Sequence, residues 1–465
     1  MKSVEPLVIS NREVLPLVEG GKGISISNGE SSGAWAAAGG VATFSGVNAD
    51  SRDADGNTVP QLYRGRTRRE RHEELVNYAI EGALTQARIT HEIAGGEGRI
   101  HINILWEMAA AERILYAVLD RAKGIVHGVT CGAGMPYRIA EICARYRVYY
   151  YPIVSSARAF RALWKRAYHR FSEWLGGVVY EDPWLAGGHN GLSNSENPQK
   201  PEPAYPRMRA LRATMSGFGL ENTPIFMAGG VWCLREWEDY IDNPEIGPIA
   251  FQFGTRPLLT KESPISDEWK QKLLTLNDGD VLLNRFSPTG FYSSAVNNDF
   301  LGELAARHNR QVAYTTEPIG EHSVSFPVGA RRRTVYLTES DCARAKAWED
   351  QGFTEALRTP DSTLVFVSPE KANQIRTDQI ECMGCLSQCR FSNWACNPAG
   401  TNGKKADPRS YCIQKTLQKI SHSNDVDNQL MFAGHNAFRF RSDPFYGNGF
   451  IPTVQELLDR LLTGD

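Results

Sequence analysis

The strongest evidence for the fold lies in PIFMAGGVWCLREWEDY at residues 224–240, followed by IAFQFGTRPLLTKES at 249–263. Each half opens with an apolar run of a strand's length that ends at a glycine turn. The apolar positions are consecutive rather than alternating, which is typical of parallel strands buried on both faces. The runs Pro224–Ala228 and Ile249–Phe253 therefore predict two strands of a parallel sheet.

The same alternation of strand and helix extends back along the chain. Helical patterns such as Glu107–Lys123, Tyr137–Tyr146 and Ala157–Trp174 separate the apolar runs. Eight strands alternating with helices favour an α/β fold of the (β/α)8 barrel type, with a doubly wound open sheet as the alternative. The six earlier predicted strands are Gly23–Ser27, Gly40–Ser45, Arg99–Leu105, Ile125–Thr130, Tyr149–Val154 and Gly177–Tyr180.

The pattern changes after about residue 265, where a helix is predicted over Asp267–Leu276. We predict a barrel domain over residues 1–279 and an inserted elaboration over 280–430. The elaboration is expected to form a lid or small subdomain, or to pack as extra helices on the outside of the barrel. The remaining residues, 431–465, are predicted to be C-terminal helices that pack back on the barrel.

Composition and charge argue against several classes of protein. The chain has 465 residues, 42% hydrophobic and 22% charged, with a net charge of −2. These values give no bulk attraction to nucleic acid or to an anionic membrane. No apolar run approaches the ~20 residues of a membrane helix, and the N-terminus lacks the apolar segment of a secretory signal. We therefore expect a cytoplasmic protein with a small-molecule substrate and without nucleic-acid or membrane partners; homo-oligomerisation is left open. The basic runs Arg64–Arg71 and Arg331–Arg333 are interpreted as solvated loops.

Glycine turns follow several of the predicted strands. Without a Cβ, a glycine lets backbone N–H groups approach a ligand closely. Barrels commonly hold a phosphate with the loops after strands seven and eight. Gly229-Gly230 and Gly254-Thr255 occupy those two positions, and the Thr255 hydroxyl suits a phosphate oxygen. The alternative is that these are ordinary turn and helix-capping glycines.

Six or more short motifs, taken together and in order, resemble the nitronate monooxygenase (2-nitropropane dioxygenase) family. They are GGKGISISNGESSGAWAAAGGVATFS, INIL, CGAGMP, PIVSS, WLAGGHNG, the two stretches quoted above and the C-terminal GNGFIPTVQELLDRLLTGD. The resemblance covers nearly all of residues 15–280 and 430–465, and it implies an FMN-dependent TIM-barrel oxidoreductase. The chain departs from the family pattern at Pro257, where an aromatic residue is usual, and at Lys22, where an apolar residue, often Met, is common.

The resemblance also implies which residues bind the flavin. His189 is expected beside the flavin ring as a base on the acidic carbon of the substrate, a role that suits an imidazole. Asn103 is a buried amide that needs a partner, and Lys22 is a candidate cation for the reduced flavin. The predicted FMN contacts are Gly21, Lys22, Gly23, Asn103, Gly187, Gly188, Ala228, Gly229, Gly230, Gly254 and Thr255.

Three functions stay open, of which the resemblance implies the first two. The first is oxidation of alkyl nitronates with oxygen to a carbonyl compound and nitrite. The second is reduction of FMN by NADH or NADPH, with hydride passed to an activated alkene or a quinone. The third is a non-catalytic barrel that serves as a scaffold subunit.

Five of the nine cysteines fall within one short stretch, residues 382–412. Three close thiols and a more distant one are the arrangement that binds a [4Fe–4S] cluster or Zn²⁺. The predicted ligands are Cys382, Cys385, Cys389 and Cys396, with Cys412 as the rival for the fourth position. Reduced structural cysteines are the alternative. The piece ECMGCLSQC…CNP resembles the cluster-binding stretch of dienoyl reductases, and a cluster would favour the reductase function.

Overall fold

Eight parallel strands close into a barrel in the computed structural model, which describes residues 2–132, 134–329 and 331–464. Every barrel strand pairs with its neighbours in sequence, and the last strand pairs with the first. This closure confirms the (β/α)8 barrel and excludes the doubly wound sheet. The barrel strands, numbered in chain order, are β1 Leu17–Glu19, β2 Val41–Ser45, β3 Arg99–Leu105, β4 Gly128–Gly132, β5 Tyr149–Val154, β6 Val178–Glu181, β7 Ile225–Ala228 and β8 Ile249–Phe253.

The barrel strands are buried on both faces, as their consecutive apolar residues predicted. Every residue of β2, β4, β7 and β8 is buried. Side chains that include Val18, Tyr151 and Phe226 pack together in one cluster, so the barrel interior is a filled core rather than a pore. A ligand is therefore expected at an end of the barrel.

A short hairpin covers the end of the barrel where the strands begin. Its strands, Leu7–Ile9 and Arg12–Val14, are antiparallel, and Ile9 and Val14 join the same cluster as the barrel interior. At the hairpin turn, the Ser10 hydroxyl lies 2.9 Å from His101 Nε2 and 2.8 Å from the Tyr151 hydroxyl. A ligand site is therefore expected at the opposite end of the barrel, where the strands finish.

Helices connect the barrel strands, and polar side chains define where several of them begin. Asn28 caps the first helix, and Ser156 caps the fifth, as each accepts a hydrogen bond from a backbone N–H of the first turn. Thr67 and Glu70 form a capping box at the second. The α-helices are α1 Gly29–Ala37, α2 Arg68–Ala94, α3 Ala111–Arg121, α4 Ile139–Tyr146, α5 Ala157–Arg166, α6 Ala204–Ser216 and α7 Asp267–Leu273. Three-ten helices cover Tyr168–Trp174, Leu234–Tyr240 and Arg256–Leu259.

The first strand was placed wrongly from the sequence. Gly23–Ser27 is a turn, and β1 is Leu17–Glu19. The sequence pattern missed β1 because this strand ends in a charged residue. Glu19 is fully buried, whereas a carboxylate is rarely found in a protein interior. The fourth strand starts later than predicted, at Gly128, and the helix predicted to reach Trp174 ends at Arg166 before a three-ten turn.

The elaboration builds a small core of its own. The strands Gln311–Ala313, Glu355–Arg358 and Thr363–Val367 form one sheet, and Val324–Val328 pairs with Arg333–Leu337 in a hairpin. Side chains from these strands pack with Cys342 and Ala345 in a separate hydrophobic cluster. The helices of this region are α8 Asp299–Asn309, α9 Glu339–Asp350 and α10 Pro369–Ile380.

The rest of the elaboration lies over the carboxyl end of the barrel. Strand Ser293–Val296 pairs with Val281–Asn284 on one side and with Gly188–His189 of the loop after β6 on the other. The following segments are α11 Ile413–Gln418, α12 Arg439–Ser442 and α13 Val454–Leu462, with three-ten helices Lys419–Ser421, His435–Phe438 and Pro444–Gly449. Helix α13 packs against α1. In the described ranges, every helix is too short or too polar to cross a bilayer.

Candidate active site

A cavity of about 210 Å³ opens at the carboxyl end of the barrel. Its floor consists of the ends of the barrel strands and their glycine turns, and its roof comes from α11 and residues 430–436. The residues predicted from the sequence to bind FMN all line this one cavity, together with His189. They are Gly21, Lys22, Gly23, Asn103, Gly187, Gly188, Ala228, Gly229, Gly230, Gly254 and Thr255.

The turns after β7 and β8 form a cradle of backbone at one side of the cavity. Gly229 and Gly230 have φ angles of 83° and 81°, a left-handed conformation that favours glycine. A Cβ added to Gly254 would meet no atom within 4 Å, so its backbone faces open space. The Thr255 hydroxyl accepts a hydrogen bond of 2.9 Å from the Gly434 N–H, which leaves its own proton to donate. This donor set fits a phosphate group.

The C-terminal segment holds this cradle in place. The side-chain amide of Asn436 donates to the Gly230 carbonyl at 2.6 Å, and the His435 N–H donates to the Leu185 carbonyl at 3.0 Å. A Cβ on Gly187 would lie 2.6 Å from the backbone carbon of Ala433 and 2.7 Å from the Gly434 nitrogen. Position 187 therefore requires glycine, because two backbone segments cross at this point.

Replacing Gly187 by Ala should destabilise the protein. The new methyl group meets backbone atoms rather than a flexible side chain, so we expect a loss of about 1–3 kcal/mol in the free energy of unfolding. Urea denaturation measures this loss. The matched control is Gly302→Ala in α8, where a Cβ meets no atom within 4 Å and alanine favours the helix by up to ~1 kcal/mol. Equal stability of Gly187→Ala and the parent protein would contradict the crossing argument.

Lys22 lies in the cavity wall, but its charge is already matched by a neighbour. Its Nζ lies 2.6 Å from Glu19 Oε1, and the two side chains are 5% and 0% exposed. Glu19 also accepts hydrogen bonds from the hydroxyls of Ser31 at 2.9 Å and Ser32 at 2.7 Å. The structure thus gives Lys22 a structural partner, whereas the sequence prediction assigned its ammonium to the flavin.

Asn103 lies at the end of β3 and packs on the backbone of the first glycine turn. A Cβ on Gly21 would be 2.2 Å from Asn103 Cγ, so this glycine makes room for the amide. Both residues line the cavity. The amide is thus held where it can contact a planar ligand.

His189 is positioned by the elaboration. It belongs to the short strand that pairs with Ser293–Val296, and its ring meets the Phe432 ring edge-on at 5.4 Å between centroids. Its Nε2 lies 2.6 Å from the Ser287 hydroxyl oxygen. Burial lowers the pKa of His189 to about 4. The imidazole is therefore neutral at pH 7 and hydrogen bonded at one nitrogen.

Glu181 is a lining residue that the sequence analysis missed. It ends β6 and lies in the cavity wall. Burial raises its pKa to about 8, and the neighbouring Asp182 charge acts in the same direction. At neutral pH the carboxyl group is mostly protonated, so it can donate a hydrogen bond into the cavity. The available signal was an acidic residue at the carboxyl end of a barrel strand, where functional residues concentrate.

Four of the five clustered cysteines lie together, and one lies apart. Cys382, Cys385, Cys389 and Cys412 line one small void, whereas Cys396 is exposed. Cys385 also lines the large cavity. Among the described residues, no group of three or more His, Cys, Asp or Glu side chains is arranged to hold a metal ion. A metal or cluster at these cysteines stays a prediction.

The fold and the site define the chain as a (β/α)8-barrel protein with its ligand cavity at the carboxyl ends of the strands. The profile of the nitronate monooxygenase family matches residues 99–464, from β3 to the end of α13. The chain therefore belongs to the nitronate monooxygenase family, which confirms the family resemblance and makes the protein an oxidoreductase by class. A search of curated proteins found no match.

Solved structures with this fold share little sequence with the chain. Nitroalkane oxidase from Streptomyces ansochromogenes is 14% identical, with 97% of this chain and 95% of that chain covered and a TM-score of 0.52. The enoyl reductase domain of MlnA, from the macrolactin biosynthesis cluster of Bacillus amyloliquefaciens, is 12% identical, with coverage of 97% and 93% and a TM-score of 0.53. At these identities the likeness shows the fold alone.

Proposed function

We propose that the protein binds FMN and oxidises alkyl nitronates with oxygen, giving a carbonyl compound and nitrite. One observation carries this proposal: the glycine cradle and His189 line the same cavity. The cradle supplies donors for the phosphate at one side, and His189 supplies a base at another. Family membership supports the same chemistry. Bound FMN would supply the electron acceptor, and the protein supplies position and electrostatics.

Different residues of this chain would bind different parts of FMN. The N–H groups at Gly229-Gly230 and Gly254, with the Thr255 hydroxyl, would hold the phosphate. Asn103 would contact a polar edge of the ring system. Glu181, neutral at pH 7, would donate a hydrogen bond to an oxygen or nitrogen acceptor in the cavity.

When the substrate arrives as a neutral nitroalkane, His189 would take the proton from the carbon next to the nitro group and so give the nitronate. Because its imidazole is neutral at pH 7, a basic nitrogen is present without prior loss of a proton. The hydrogen bond to Ser287 and the contact with Phe432 fix the ring plane.

The proposal is tested with purified protein and three measurements. A visible spectrum with flavin released by denaturation should give about one FMN per chain, and an oxygen electrode should record consumption with an alkyl nitronate in the absence of NADH and NADPH. Nitrite should accumulate along with the carbonyl compound. A colourless protein would contradict flavin binding and favour the scaffold alternative. A yellow protein that consumes no oxygen with nitronates would contradict the nitronate activity alone.

A second candidate is an NAD(P)H-dependent flavin reductase that acts on an activated alkene or a quinone. The roof of the cavity favours it, since Ile413, Leu417, Ile420, Leu430 and Met431 form an apolar surface suited to a hydrocarbon chain. Anaerobic bleaching of the flavin by NADH or NADPH, reversed by an enoyl thioester or a quinone, is the expected result for this function. Flavin that stays oxidised with both nucleotides would exclude it.

The pH dependence of nitroalkane oxidation should be bell-shaped with widely separated limbs. Activity requires neutral His189, so kcat/KM falls as the pH drops through about 4. It also requires neutral Glu181, so kcat/KM falls as the pH rises through about 8. Glu181→Gln, which keeps a hydrogen-bond donor, should remove the alkaline limb and leave the acid limb. An acid limb near the ordinary histidine value of ~6.5 would contradict the lowering of the His189 pKa by burial.

A further inference from the structure

Four cysteine side chains converge at a point that the proposed flavin chemistry does not use. Cys382, Cys385, Cys389 and Cys412 line one buried void whose other walls are mostly apolar, including Met383, Phe391 and Ile413. They come from two separate segments, the loop after α10 and the residue that precedes α11. Cys396 lies outside this group and is exposed.

The loop that carries three of these cysteines is anchored to the barrel. The Arg71 side chain donates to the carbonyls of Cys382 at 3.1 Å and Ile380 at 2.7 Å, and His72 Nδ1 lies 3.0 Å from the Gly384 carbonyl. Both donors lie in the first turns of α2, in or beside the basic run expected to be solvated loop. That expectation is wrong for residues 68–71, because α2 begins at Arg68 and its arginines donate to backbone carbonyls of the elaboration. The loop conformation is thereby fixed in advance of any ligand.

Two hydrogen-bond donors lie next to the Cys382 sulfur. The Ser392 hydroxyl lies 3.1 Å from Cys382 Sγ, and the Gly384 N–H donates to the same sulfur at 3.4 Å. A buried thiol that only fills space needs no such donors. Donors to a sulfur atom are typical of the surroundings of a thiolate ligand, since hydrogen bonds to sulfur stabilise and tune it.

We propose that Cys382, Cys385, Cys389 and Cys412 bind a [4Fe–4S] cluster. Four thiolates are the ligand number that such a cluster takes. Zinc is disfavoured, because a single ion draws four sulfurs to about 2.3 Å from its centre and no described group of side chains is arranged around one ion. A cluster of four irons needs its ligands further apart around a central space. The fourth ligand is thus Cys412, and Cys396 is excluded by its exposure.

The cluster would lie directly behind the cavity that holds the proposed flavin. Cys385 and Ile413 line both the void and the cavity, so the two spaces share a wall one side chain thick. Cys412 precedes α11, which forms the roof, whereas the other three ligands lie on the loop anchored to α2. A cluster would therefore tie the roof to the barrel. This inference is independent of which substrate the cavity takes.

Metal and sulfide analysis of protein purified without oxygen tests the site directly. We expect about four iron atoms and four acid-labile sulfides per chain, with a broad absorbance near 400 nm that acid removes, in addition to any flavin. The flavin is counted separately by its release on denaturation, so loss of one cofactor does not mask the other. One zinc per chain would overturn the proposal, as would no iron and sulfide after reconstitution with ferrous iron and sulfide.

Two serine substitutions decide the ligand set. Cys412→Ser should lower the iron and sulfide content to less than half, whereas Cys396→Ser, the matched control from the same stretch, should leave it unchanged. The reverse pattern would overturn the assignment of Cys412. If Cys412→Ser does not fold, the ligand set is tested by comparing Cys396→Ser with the parent protein. Iron and sulfide retained in Cys396→Ser support the proposal, and their loss in that variant contradicts it.

Discussion

Replacement of His189 by Ala is expected to lower kcat/KM for a neutral nitroalkane by about 10²–10⁴-fold, the usual contribution of a positioned general base. The reason is that no other imidazole lines the cavity in the described part of the chain, so the proton on the acidic carbon loses its acceptor. A pre-formed nitronate has already lost that proton and should be affected less. Initial rates with both forms of one substrate, at equal flavin content, measure the difference.

The control for this variant is His308→Ala. His308 is a partly buried histidine whose Nδ1 contacts the Leu304 carbonyl at 2.8 Å within α8, away from the cavity. Its loss should leave the rates with both substrate forms unchanged. Ser287→Ala removes only the partner of His189 Nε2, so a smaller loss, about tenfold, is expected from a less well oriented ring. Full nitroalkane activity in flavin-loaded His189→Ala would eliminate this residue as the base.

The barrel could be predicted because most of its strands are recognised from residues that are adjacent in the sequence. Most strands are short apolar runs, and several of them, including β7 and β8, end at a glycine turn. The closure of the sheet then brings all the strand ends together, so a list of strand-end residues is already an approximate list of the cavity lining. This is why the predicted glycines, Asn103 and His189 lie around one space.

Contacts between distant segments could not be predicted in the same way. His189 meets Ser287, which lies 98 residues further along the chain, and Gly187 meets Ala433. The choice of Cys412 over Cys396 likewise depends on where α11 begins after folding. Sequence spacing alone could not separate those two cysteines, because the path of the loop between them is set by packing.

Glu19 shows a different reason for failure. Sequence patterns treat a carboxylate as a surface residue, yet here it ends β1 with no exposure. Its burial is tolerated because Lys22, Ser31 and Ser32 supply a cation and two hydroxyl donors. None of these partners is recognisable as such before the turn after β1 brings them together.

Because Lys22 is paired with buried Glu19, the substitution Lys22→Met should be strongly destabilising. Methionine is the residue common in the family at this position. Breaking a buried ion pair by removing one partner typically costs about 3–5 kcal/mol, since the other charge stays buried without its counterion. We therefore expect the free energy of unfolding to fall by about that amount in urea denaturation of the flavin-free protein. The Ser31 and Ser32 hydroxyls remain as donors to Glu19, which places the expected loss toward the lower end of the range.

Two further variants separate the buried charge from the loss of the lysine side chain. In Lys22→Met/Glu19→Gln both charges are gone, and most of the lost stability should return, because a neutral pair has no charge to desolvate. Arg121→Met is the surface control: Arg121 contacts Glu81 at the same 2.6 Å, but both side chains are about half exposed, so the loss should stay below about 1 kcal/mol. A Lys22→Met loss no larger than that of Arg121→Met would contradict the buried ion pair with Glu19.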